Sequence, residues 1–134
     1  MAKAHGKTTV LTVATKDISP FTKTSTYERG ADVHETTGYG VDDKGKAGGL
    51  RETKFTCGGL YDNTVLVGPR IVLHGIVGST VAVVRKVEGT GTGKPQDAFN
   101  AVVSKYVETN PVDDMVTWSA EFEIDGAVVT TAQP

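Results

Sequence analysis

Chemistry in this chain would have to come from His5, His34, His74, the single Cys57 and three close carboxylate pairs. A transition-metal site needs histidines, thiolates or carboxylates at ligand spacing. The three histidines stand far apart, and none has such a partner nearby. His74 lies among Ile, Val and Leu, the setting of a packed or capping imidazole. Cys57 follows Phe55 on one face of an expected strand, so it reads as a small buried hydrophobe. A nucleophilic thiol needs a base and an electropositive, accessible setting, which these neighbours do not provide.

The carboxylate pairs are Asp42 with Asp43, Asp113 with Asp114, and Glu121 with Glu123. Adjacent residues point to opposite sides of a strand, so the first two pairs make no acid–base dyad there. Glu121 and Glu123 share a face, but the alternation around them makes it the solvated one. Gly89 to Pro95 (GTGTGKP) imitates a phosphate loop. That motif needs Gly at position 88 and Ser or Thr at 95, where this chain has Glu88 and Pro95. No constellation amounts to an active site. The expectation is a protein without catalytic residues, metal, cofactor or small-molecule substrate.

A chain of 134 residues suits one domain, here 1–134. Its 16 glycines are spread along the chain, which favours short strands and tight turns over one linker. Fourteen basic against 16 acidic residues give a net charge of −2, with no positive excess to hold nucleic acid tightly. One cysteine makes no internal disulfide. The first 17 residues lack the apolar core of a signal peptide, and no run approaches a membrane span, so a soluble protein kept inside a cell is expected.

Thr8–Ala14 reads as a first strand, broken after Asp17 by Pro20. Lys23–Arg29 alternates weakly as an edge strand, continued by Val33–Thr37. Residues 38–49 (GYGVDDKGKAGG) carry five glycines and four charges and read as a long mobile loop. Arg51–Tyr61 is the second confident strand, with a bulge expected at Gly58-Gly59. Pro69 at a first helical position and Gly78 as a stop bound a short helix over 69–77. Strands follow at Thr80–Val87 and Ala98–Glu108 around a flexible connection.

Asn110 and Pro111 occupy the first two places of a type I turn, with Asp113 and Asp114 behind them. Val116, Trp118, Ala120, Phe122 and Ile124 then alternate with polar residues, the mark of a half-buried antiparallel strand. Phe55 and Val102 or Val103 are expected across from them. Asp125-Gly126 predicts a further tight turn, after which 127–134 trail off as a C-terminal extension. The fold class is mainly β, with one short α-helix.

The order and spacing of these elements resemble the tail tube (major tail) proteins of long-tailed phages. The likeness runs through AKAHGKTTVLTV, VHETTGYGVDDKGKAGGL, RETKFTCGGLYD, the short helix and SKYVETNPVDDMVTWSAEFEIDG, and so covers nearly the whole chain. Its most specific part is Pro111–Gly126 together with Gly58–Asp62. The resemblance implies an antiparallel β-sandwich or barrel-like core flanked by a helix. It also implies hexameric rings stacked into a tube, with DNA passing through without being held. The partners would be further copies of the chain and other virion proteins, and the place a virion assembled in a host bacterial cytoplasm. A head decoration or minor capsid protein of related fold is the alternative. The physics agrees: exposed strand edges need covering, and a symmetric assembly supplies the cover. Gly38, Tyr39, Gly40, Asp42, Asp43, Lys44 and Lys46 form the loop expected to be ordered by a neighbouring copy.

Overall fold

The computed structural model describes residues 5–134 except Val67; Met1–Ala4, the start of the first quoted segment, lie outside the described residues. Seven antiparallel strands run in chain order: β1 (Val10–Val13), β2 (Lys16–Asp17), β3 (Thr24–Glu35), β4 (Lys46–Leu60), β5 (Thr80–Lys86), β6 (Pro95–Thr109) and β7 (Thr117–Ala132). They form one sheet in the order β2-β1-β5-β6-β7-β4-β3. Helix α1 (Pro69–Leu73) lies between β4 and β5, and short 3-10 turns occupy Gly6–Thr8, Ser19–Phe21 and His74–Ile76.

The sheet is rolled rather than flat. Tyr27 of β3, at one end of the strand order, meets Phe99 of β6 with ring centroids 6.2 Å apart. Arg85 of β5 stands 5.1 Å from the same Tyr27 ring. Rolling lets one face bury itself: Phe55 contacts both Phe99 and Phe122, and Leu11, Val13, Val83 and Val103 complete the barrel-like core. Alternation drives the inward choice, since Trp118, Ala120 and Phe122 are buried while Ser119, Glu121 and Glu123 between them are exposed. Val103, not Val102, stands opposite Phe122. Val116 and Ile124, at the ends of that set, are half-buried, and Val116 precedes the strand.

Several boundaries differ from the sequence reading. Thr8 belongs to a 3-10 turn, so β1 starts at Val10. The two weak segments over 23–37 are one strand, β3, with a register shift between Ala31 and Val33. The α-helix ends at Leu73 and tightens into a 3-10 turn through Ile76; β-branched Ile71 and Val72 and the glycine at 75 offer little to prolong it. Pro69 does open the helix, and Gly78 at φ +88 does end the segment.

Gly58-Gly59 forms no bulge. Both residues pair in unbroken register, with Ser119 and Trp118 of β7. A Cβ on Gly59 would lie 2.1 Å from the Phe21 carbonyl oxygen, and one on Gly58 would lie 2.8 Å from that of Trp118. The glycines are there for close approach: they let the Ser19–Phe21 turn lie on the sheet, where the Trp118 Nε1–H donates to the carbonyls of Phe21 (3.2 Å) and Leu60 (3.1 Å).

Asp125-Gly126 forms no hairpin turn either. β7 continues to Ala132, and β6 advances from Ala98 to Asn100 where β7 covers Asp125 to Val129. Gly126 at φ +85 takes up the extra length, as a bulge requires. The C-terminal residues therefore do not trail off. Gln133 is buried; its side chain donates to the Gly89 carbonyl (2.8 Å) and accepts from the Gly91 N–H (3.1 Å).

Candidate assembly surface

β3 and β4 pair from Thr24–Gly58 to Glu35–Lys46, but β7 accompanies β4 only over Lys54–Leu60. Beyond Lys54 the two strands continue alone as a ribbon. Every residue from Glu28 to Glu52 is exposed except the half-buried Gly45. The unsupported length is about 20 Å at 3.3 Å per residue. The expected loop over 38–49 is thus shorter than its composition suggests: Lys46, Ala47, Gly48 and Gly49 are strand residues, and Lys46 pairs with Glu35. Gly38, Tyr39, Gly40, Asp42, Asp43 and Lys44 make the tip. The Thr36 N–H donates to the Gly45 carbonyl (2.8 Å), and the Gly45 N–H donates to Thr37 Oγ1 (2.8 Å).

The ribbon is not purely polar. Val33, Tyr39, Val41 and Leu50 are exposed along it, and Tyr39 is fully so. A two-stranded ribbon with both faces in water is marginal by itself. Its apolar side chains therefore gain from a neighbour that covers them.

The outward face of β3, β4, β7 and β6 is acidic. Register places Thr26, Thr56, Glu121 and Lys105 in one row and Glu28, Lys54 and Glu123 in the next. Tyr27, Phe55 and Phe122 lie on the opposite face, in the core. Glu52 adds a fourth glutamate, 3.9 Å from Lys54. Glu28, Glu52, Glu121 and Glu123 thus outnumber Lys54 and Lys105 on a face open to solvent.

At the far end from the ribbon tip, the β6–β7 connection spans Asn110 to Val116. Its turn is centred on Val112 and Asp113, one residue later than Asn110 and Pro111 predict. Asp114 Oδ1 accepts from the Met115 N–H (2.7 Å), which spends that carboxylate on the turn. The Tyr61 N–H donates to the Val116 carbonyl (2.9 Å) and ties this connection to the segment after β4. Leu60, Val65, Leu66, Val112 and Met115 are exposed around that tie.

Strand edges without a strand partner among the described residues include the outer edge of β3 and β6 beyond Val103 on its β5 side. Cys57 is buried, and burial pushes its thiol up to about 12. His74 packs edge-on to Tyr106, with ring centroids 6.2 Å apart. Among the described residues no group of three or more His, Cys, Asp or Glu is placed to hold a metal ion. The residues that the sequence did not signal are Gln133, whose polar type argues against burial, and the apolar positions of the ribbon, hidden among glycines and charges.

No family model matches the sequence. No curated protein matches it either. Solved structures do. A chain from the virion of a native gene transfer agent particle superposes with a TM-score of 0.80 at 12% identity, over 97% of this chain and 100% of that one. A chain from the SPP1 tail tube gives 0.77 at 10% identity, over 98% and 80%. A chain from the tail of an empty gene transfer agent particle with C6 symmetry gives 0.68 at 11% identity, over 84% and 83%. The fold of this chain, a rolled antiparallel sheet with one short helix, is the fold found in those tail and virion structures.

Proposed function

We propose that this protein is a virion structural protein, the subunit of a tail tube built from stacked hexameric rings around a DNA channel. The observation that carries the reading is the β3–β4 ribbon, which leaves the body of the sheet, is exposed nearly throughout among the described residues and displays apolar side chains. The shared fold with tail structures, one of them of C6 symmetry, supplies the context. Joining the free β3 edge of one copy to the free β6 edge of the next around a ring extends one sheet from subunit to subunit. The acidic face then turns to the channel, where like charge keeps DNA from adhering as it passes. The partners are other copies and the virion proteins at either end of the tube.

The test is to separate tails from empty heads of one virion preparation and identify the chain in each by mass spectrometry. Recovery in tails, at the copy number of a repeating subunit, supports the reading. Recovery in heads alone overturns it in favour of a capsid decoration protein.

A further inference from the structure

The rolled sheet leaves a seam between its two ends. There β1, β5 and the start of β3 wall an open cleft of about 680 Å³, within the size range of ligand sites. Among the described residues its lining contains Lys7, Lys23 and Arg85 and no carboxylate; the Thr9 and Thr22 hydroxyls donate to the Val87 and Ile18 carbonyls, and Thr24 adds a further hydroxyl. Arg85 is only partly neutralised: its Nη1 stands 3.4 Å from Asp97, and its buried Nε has no hydrogen-bond partner. Among the described residues the ion pairs are Lys54–Glu52, Arg70–Glu108 and Arg85–Asp97, so Lys7 and Lys23 are unpaired. A cleft lined by three cations and, among the described residues, by no acid has the chemistry of a carboxylate socket.

Asp42 and Asp43 at the ribbon tip are exposed, and neither belongs to an ion pair. They cannot reach the cleft of their own chain. β3 begins beside the cleft and ends at the ribbon tip, and its 12 residues span roughly 40 Å. The two features lie toward opposite ends of one strand, an arrangement that suits head-to-tail contact between copies and an open, repeating assembly. We propose that the cleft lined by Lys7, Lys23 and Arg85 receives the Asp42-Asp43 tip of a second copy. This deepens the tail tube reading, on which its place in an assembly rests, by naming the receptor for the ribbon. Nucleic acid phosphate is the other anion with suitable chemistry. The copy is favoured because its carboxylates are presented in no ion pair at the end of a projecting ribbon, and because the outward sheet face is acidic.

A charge exchange tests it. The double variants K7E/K23E and D42K/D43K, and the quadruple variant combining them, are compared with the parent for tube formation by electron microscopy and sedimentation. Circular dichroism verifies that each is folded. Each double variant should raise the concentration needed for assembly by about tenfold or more, since like charges then face each other. The quadruple variant should return it to near the parent value. Doubles that assemble as the parent does, or a quadruple no better than the worse double, overturn the socket and leave the tube reading standing. Loss of duplex DNA binding in K7E/K23E with unchanged assembly overturns it in favour of a phosphate site.

A second arm does not require tubes. D43C and K23C proteins are mixed under mild oxidation; the native Cys57 is buried and does not compete. A disulfide joining the two variants supports the contact even where the parent forms no tubes. Its absence, with each cysteine shown to be reactive, overturns the contact.

Discussion

Trp118 shows most clearly how single residues hold this fold. Its ring is buried and stacks 6.3 Å from that of Tyr106, while its N–H serves two carbonyls from the Ser19–Phe21 turn and the end of β4. Trp118→Ala removes the apolar contacts and leaves both carbonyls without that donor, so it should cost about 3–5 kcal/mol, read as a lower urea midpoint. Cys57 and Tyr106 predict a pH dependence. Burial pushes Cys57 from 9.0 up to about 12. Burial, then the Glu108 charge, pushes Tyr106 from 10.0 to about 12. A raised folded pKa contributes stability that is complete below the unfolded value and is lost as pH rises toward the folded one. Stability should therefore fall from about pH 9 to 12, and Cys57→Ala should remove the part of that slope beginning near pH 9. Urea titrations at each pH measure both.

Among the elements, the ribbon and β7 behave in opposite ways. β7 is held on both edges and by its buried face, so it carries stability. The ribbon is held by its own pairing alone, so it should be separable from the fold. Joining Arg29 directly to Thr53 through Asn-Gly, the residues a two-residue hairpin turn favours, removes only exposed or half-buried positions. The shortened protein should keep its circular dichroism spectrum and unfold within about 1 kcal/mol of the parent. Its assembly into tubes should be lost. A shortened protein that assembles normally would show the ribbon to be a surface ornament.

At the scale of the whole molecule, the C-terminus closes the structure. The end of β7 pairs with Pro95–Ala98, and Gln133 then exchanges backbone bonds with Gly93 and Lys94 at 2.9 Å each. With its side-chain bonds to Gly89 and Gly91, this one residue organises the whole β5–β6 connection. Removing Gln133 and Pro134 should destabilise the protein by about 1–3 kcal/mol. Amide exchange should quicken first at Gly91 and Gly93, whose N–H groups lose their acceptors. Unchanged exchange there would remove the clamp from the account.

The features that local chemistry alone determines were legible in the sequence. The alternation through Trp118, Ala120 and Phe122 marks a strand and its buried side, because side chains on a pleat alternate whatever lies beyond it. Pro69 and Gly78 bound the helical segment, because φ restriction is a property of the residue itself. Features that depend on a distant partner were not legible. Gly58-Gly59 reads equally well as a bulge or as close packing, and the Phe21 carbonyl, far away in sequence, decides for packing. Asp125-Gly126 has the chemistry of a hairpin turn, yet β6 extends back to Pro95 and offers the following residues a ladder, so the same dipeptide becomes a bulge. Lys46 to Gly49 look like loop because they lack apolar periodicity. They are strand because main-chain pairing with β3 needs no side-chain pattern, and both faces of that ribbon are left open.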